Sequence, residues 1–154
     1  MQTLSSLWEL VRQILGNQML VAPVVAWMLA QIIKTAIDSL RRRRLNLKMI
    51  VNPGGMPSAH SALVAGLATA TALNHGVDSP LFAMTVVLAM IVMYDAAGVR
   101  QAVDRQSEIL THILTHVPRT PDDLDRFLMG LVGHTRVQVV AGALLGITVA
   151  ALWY

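Results

Sequence analysis

The chain has 154 residues, of which 55% are hydrophobic and 14% charged, with no cysteine and a formal net charge of +3. A soluble domain is about 45–50% apolar and about one quarter charged, so this composition, with its mean hydropathy of +0.56, describes a membrane protein. The missing cysteines exclude disulfides and thiolate metal sites, and the small net charge indicates no nucleic-acid partner. In chain order, Leu4, Leu7, Trp8, Val11, Ile14 and Leu15 share one face of a helix over residues 4–16, which predicts an amphipathic segment in the membrane interface. This polar start is not that of a cleavable signal peptide. A first span runs from Asn17 to about Ile37, long enough to cross a bilayer of ~30 Å. A loop over 45–58 ends in Gly54-Gly55-Met56-Pro57. A second span, Ala59 to about Leu73, is rich in small residues suited to close helix packing in lipid. After a turn at 74–80, a third span covers Leu81 to Tyr94. Residues 101–130 are polar and partly helical, with a break at 117–121 and helix-start aspartates at 122, 123 and 125. The last span runs from about Leu131 to Tyr154, anchored by Trp153 and Tyr154. The expectation is an all-α membrane bundle of about four spans plus an interfacial helix, forming one domain over 1–154.

Arg41 to Arg44 form the strongest basic block and belong in the cytoplasm by the positive-inside rule. Lys34, Ser58, His60, Asp95, Arg100 and His134 then all fall at the cytoplasmic ends of the spans. Ionisable groups at the ends of packed membrane helices are costly unless paired, and they mark functional sites by default. Gly54 and Gly55 permit a tight approach of the backbone to a ligand, and Pro57 suits the first turn of a helix. Ser58 and His60 then sit at a helix N-terminus, where free N–H groups favour an anion. The set is cationic, with Lys34, Arg41 and Arg100, which suits phosphate oxygens and the charge that develops in phosphoryl transfer. One histidine can attack phosphorus while another protonates the leaving oxygen. With Asp95 as the sole acid, a hard-cation site is the weaker reading, and neither metal nor cofactor is called for. The plainer readings are a topology signal for the arginines, a helix cap for Ser58, snorkelling for Lys34 and a mutual ion pair for Asp95 and Arg100.

Three segments carry a resemblance. Met56-Pro57-Ser58-Ala59-His60-Ser61-Ala62, Tyr94-Asp95-Ala96-Ala97-Gly98-Val99-Arg100 and the stretch from Gly133-His134-Thr135-Arg136 to Gly146 together resemble the divergent type-2 phosphatidic acid phosphatase family. That family is related to lipid phosphatases and vanadium-dependent haloperoxidases. The superfamily pattern is K-x6-R-P, P-S-G-H and S-R-x5-H-x3-D. Lys34 and Arg41 keep the first spacing, with Arg42 in place of proline. Pro57-Ser58-Ala59-His60 keeps the second, with Ala59 in place of glycine. His134 matches the histidine of the third, but Leu128 replaces the arginine and Gln138 the aspartate. The resemblance implies His134 as nucleophile, His60 as general acid and a phosphate cradle of Lys34, Arg41, Gly55 and Ser58. Arg100 or Arg136 would supply the missing cation, and Asp95 would orient a histidine.

The expected function is hydrolysis of a lipid phosphate or diphosphate at the cytoplasmic face of a bacterial inner membrane. Two alternatives stand beside it. One is a non-catalytic protein that binds or moves a phospholipid or polyprenyl phosphate. The other is a structural subunit whose polar cluster only fixes packing. Partners are the bilayer and its lipid phosphate, and the many small packing residues are compatible with a homodimer.

Overall fold

A computed structural model describes residues 2–43, 55–114 and 135–154. Every regular element among them is helical: α1 (Gln2–Gly16), α2 (Gln18–Arg42), α3 (Ala59–His75), α4 (Pro80–Leu114) and α5 (Arg136–Trp153). Three stretches are long and apolar enough to cross a membrane, Gln18–Arg41, Pro80–Gly98 and Arg136–Trp153. The protein is therefore a multi-pass membrane protein. α3 is shorter, at 17 residues, and packs against α2, α4 and α5 as the centre of the bundle.

The core is made of small side chains. Ala22, Ala26 and Ala30 recur every fourth residue on α2, so they form one stripe, and all three are fully buried. Ala26 and Ala30 meet Ala59 and Ala62 of α3, with Leu145 and Val149 of α5 packed alongside. The approach of α5 to α3 is closer still. A Cβ added at Gly142 would stand 2.2 Å from the Ser58 carbonyl oxygen, and one at Gly146 would stand 2.2 Å from that of Ala62. Lipid gives helices no hydrophobic reason to associate, so contact between backbones of this closeness is what holds such a pair. Thr35, Thr69, Thr71 and Thr148 each donate to the carbonyl four residues earlier, at 2.8–2.9 Å.

These contacts fix direction. Pro23 and Ala26 face Gly66 in the middle of α3 while Ala30, further along α2, shares a cluster with Ala59 and Ala62 at the start of α3, so α2 and α3 are antiparallel. Ser58 faces Gly142 and Ala62 faces Gly146, so α3 and α5 are parallel. A tight turn reverses the chain between α3 and α4. Gly76 supplies its positive φ of 82°, and the Ser79 hydroxyl caps α4 by accepting from Phe82 N–H at 3.2 Å. Pro80 then takes the first helical position, where its missing N–H costs nothing. At the far end from Ser58, Asn74 donates to the Tyr154 hydroxyl, and the His75 ring meets the Met19 sulfur at 3.2 Å.

Three expected boundaries move. The helix of the first span continues to Arg42, because arginine is a good helix former and the headgroup layer accepts its charge. The third does not stop at Tyr94: α4 runs without a break to Leu114, since nothing between Asp95 and Leu114 stops a helix except the tolerated Gly98. The last begins at Arg136, not Leu131, because Thr135 caps it there. The expected break at 117–121, the aspartates 122, 123 and 125, and Leu128 lie outside the described residues. α1 packs against α2 and leaves apolar side chains exposed, Trp8 and Leu15 among them. Asn17, in extended conformation, separates the two helices.

Candidate phosphate site at one end of the bundle

Lys34 continues the alanine stripe of α2 by one more turn. It is 3% exposed, the one charged residue among the buried described residues. Because α2 runs against α3, one turn beyond Ala30 and its cluster with Ala59 and Ala62 brings Lys34 level with the turn that precedes α3. That turn is Gly55-Met56-Pro57-Ser58. Gly55 has φ 101°, which only glycine adopts readily, and the Met56–Pro57 peptide is cis. Pro57 is buried.

Ser58 is fully buried and caps α3. Its hydroxyl oxygen accepts from the Ser61 N–H at 3.3 Å and from the Ser61 hydroxyl at 3.0 Å. Its own N–H donates to the Gln138 carbonyl at 3.0 Å. The plain reading of Ser58 as a cap therefore describes it as it stands, and the bond to Gln138 ties the start of α3 to the first turn of α5. The N–H groups of Ala59 and His60 remain as helix-start donors with no carbonyl inside the helix. His60 itself is exposed.

On α5, Thr135 and Gln138 form a capping box. The Gln138 N–H donates to the Thr135 hydroxyl at 3.3 Å, and the Gln138 Oε1 accepts from the Thr135 N–H at 3.0 Å. The side chain at the superfamily's aspartate position thus turns back to its own helix start. Arg136, in the first turn, is exposed. His134 immediately precedes the cap and lies outside the described residues, as does Gly54. Arg41 is exposed two turns beyond Lys34.

Asp95 is exposed and stands about 22 Å along α4 from Pro80. α3 is about 25 Å long, so Asp95 lies near the level of Ala59 and His60. Arg100 lies on α4 five residues further on. One end of the bundle therefore gathers Lys34, the Gly55–Ser58 turn, His60, Arg136 and, by depth, Asp95. Arg41, on α2, and Arg100, on α4, follow further along their helices at the same end. Among the described residues no cluster of three or more His, Cys, Asp or Glu groups could hold a metal ion.

One structural element open to sequence reasoning is hidden by the motif positions it overlaps: Thr135-Arg136-Val137-Gln138 is a capping-box pattern. Gly142 and Gly146 belong to the small packing residues that the sequence assigns to close helix pairing.

Residues 15–149 match the Divergent PAP2 family. The chain belongs to that family. It is similar to the uncharacterized membrane protein YuiD of Bacillus subtilis strain 168, with 35% identity over 146 residues, covering 88% of this chain and 92% of that one. No solved structure matches. In this Divergent PAP2 protein, the segment with the P-S-x-H pattern is the best-packed part of the end just described: Pro57, Ser58 and Ala59 are all buried, and His60 alone of the four faces outward.

Proposed function

We propose that this Divergent PAP2 protein hydrolyses a lipid phosphate or diphosphate at the cytoplasmic face of a bacterial inner membrane, acting as a single membrane domain. One observation carries the reading: the ammonium-bearing Lys34 is buried at the level of the turn that holds Pro57, Ser58 and His60. An ionisable group at the end of a packed membrane helix marks a functional site by default, and a lipid phosphate lies at that depth. His134 attacks phosphorus while the bond to the ester oxygen breaks, and His60 protonates the departing alcohol. Water then displaces the histidine and releases phosphate. Lys34, Arg41, Arg100 and Arg136 neutralise phosphate oxygens. Gly55 lets the backbone approach them, and Ser58 holds the turn in shape from behind. Asp95 is the acid assigned to orient a histidine, since Gln138 is engaged in its cap. Purified protein in detergent should release phosphate from lipid phosphates, and His60→Ala and His134→Ala should each reduce that release by at least about a hundredfold. Normal release by both variants would sink the mechanism.

The capping role of Gln138 favours a second reading, a phosphate pocket that binds without turnover. That reading gains if the parent releases no phosphate yet binds a lipid phosphate, and if the binding survives His134→Ala but not Lys34→Met.

A further inference from the structure

The exposed apolar face of α1 has no use in the phosphate site. Asn17 alone joins α1 to α2, and Met19, two residues later, meets His75 at the end of α3. α1 therefore leaves the bundle at the end opposite Lys34 and Ser58. Leu7, Trp8, Val11, Ile14 and Leu15 follow the three-and-four spacing of one helix face. All five are exposed, Trp8 at 75%. A groove of about 740 Å³ follows the edge of this face. It is lined by Trp8, Val11, Leu15 and Gly16 and, from the polar side, by Glu9 and Arg12.

The short tether limits what can cover this face. The apolar span begins at Gln18, and three residues of chain keep Leu15 within about 10 Å of it whatever angle α1 takes. That is the headgroup layer, where tryptophan is favoured. Charge then decides which membrane suits it. Helices that lie in this layer usually carry Lys and Arg opposite the apolar face, which draws them to anionic headgroups. α1 has Arg12 and Glu9, whose charges cancel, and its other polar residues are Gln2, Thr3, Ser5, Ser6 and Gln13. Headgroup charge gives such a helix no hold. Only its apolar area holds it, and that area is buried most easily where the headgroups leave gaps, as on a strongly curved leaflet.

We propose that α1 is a lipid-packing sensor in the leaflet opposite the phosphate site, inserting Trp8, Val11 and Leu15 between loosely packed lipids whatever their charge. The occupant of the groove is then the bilayer surface itself: the apolar wall meets acyl chains, and Glu9 and Arg12 stay among the headgroups. This does not depend on the chemistry proposed above.

The chain has no cysteine, so Val11→Cys in the full protein can carry one polarity-sensitive fluorophore. The protein is reconstituted in small, strongly curved vesicles and in large ones of the same phosphatidylcholine. Emission is read from the copies whose α1 lies on the outer surface, selected with a membrane-impermeant quencher. It should be blue-shifted and at least about twofold brighter in the small vesicles. Replacing part of the phosphatidylcholine by phosphatidylglycerol should leave it unchanged. The same probe in Gln13→Cys, on the opposite face, should report water in both. Equal emission from the Val11 probe in small and large vesicles overturns the proposal, and so does equal brightening at Gln13. Brightening that follows the phosphatidylglycerol content would make α1 a charge-driven anchor instead. Emission that follows the protein-to-lipid ratio would assign the face to a second copy of the chain. Either result also overturns it.

Discussion

The hydrogens at Cα of Gly142 and Gly146 point at the backbone of α3. A methyl group at either site would meet a carbonyl oxygen at 2.2 Å, and no side-chain movement can relieve that. Gly142→Ala and Gly146→Ala should each destabilise the protein by about 1–3 kcal/mol, read as a lower midpoint of thermal unfolding in detergent. Gly98 is the control. A Cβ there meets nothing within 4 Å, so Gly98→Ala should be neutral or stabilise by up to about 1 kcal/mol through helix propensity alone. Thr135→Ala removes one half of the α5 cap and should cost about 1 kcal/mol. If Gln138 were instead an impaired catalytic group, its replacement by Ala would alter turnover with stability unchanged. The cap predicts loss of stability as well.

At the scale of elements, α4 is the outlier. Its 35 residues rise about 52 Å, well beyond a hydrocarbon core of ~30 Å. Pro80–Gly98 is long and apolar enough to cross the membrane by itself, which leaves the rest of the helix to project from it. Because the chain has no cysteine, this can be read directly by labelling. A cysteine at Gln106, which is exposed on the projecting part, should react with a membrane-impermeant maleimide from the cytoplasmic side only. A cysteine at Val77, 71% exposed in the α3–α4 turn, should react from the opposite side only. The reverse pattern would invert the assigned orientation. The spans were legible in the sequence because apolar runs of about 20 residues have few other uses in a chain of this composition. The length of α4 was not, because Asp95 and Arg100 read as the edge of the bilayer and were mistaken for the edge of the helix. Lys34, Ser58 and His60 could be assigned to one end from charge asymmetry. The closed position of Ser58 could not, since it depends on a bond to Gln138 that lies 80 residues away.

For the whole molecule, the polar ends of α3 and α5 define an apolar layer of only about 25–27 Å, a little thinner than an average bilayer. Thermal stability should therefore be greater in bilayers of short-chain lipids than in long-chain ones. Scanning calorimetry across a series of phosphatidylcholines of increasing chain length checks this, and a maximum in the longest would count against the assigned layer. The position of α3 also bears on biogenesis. It is the central helix, yet it is not among the stretches long and apolar enough to qualify as a span unaided. Its tightest partner, α5, is made well after it. At about 5–20 residues per second, α5 leaves the ribosome roughly 4–15 s after α3 does. Through that interval the small-residue face of α3 lacks the backbone it is shaped to meet. Chains truncated after Leu114 should expose α3 to proteolysis that the full chain resists, and they should be the form that quality-control proteases remove first.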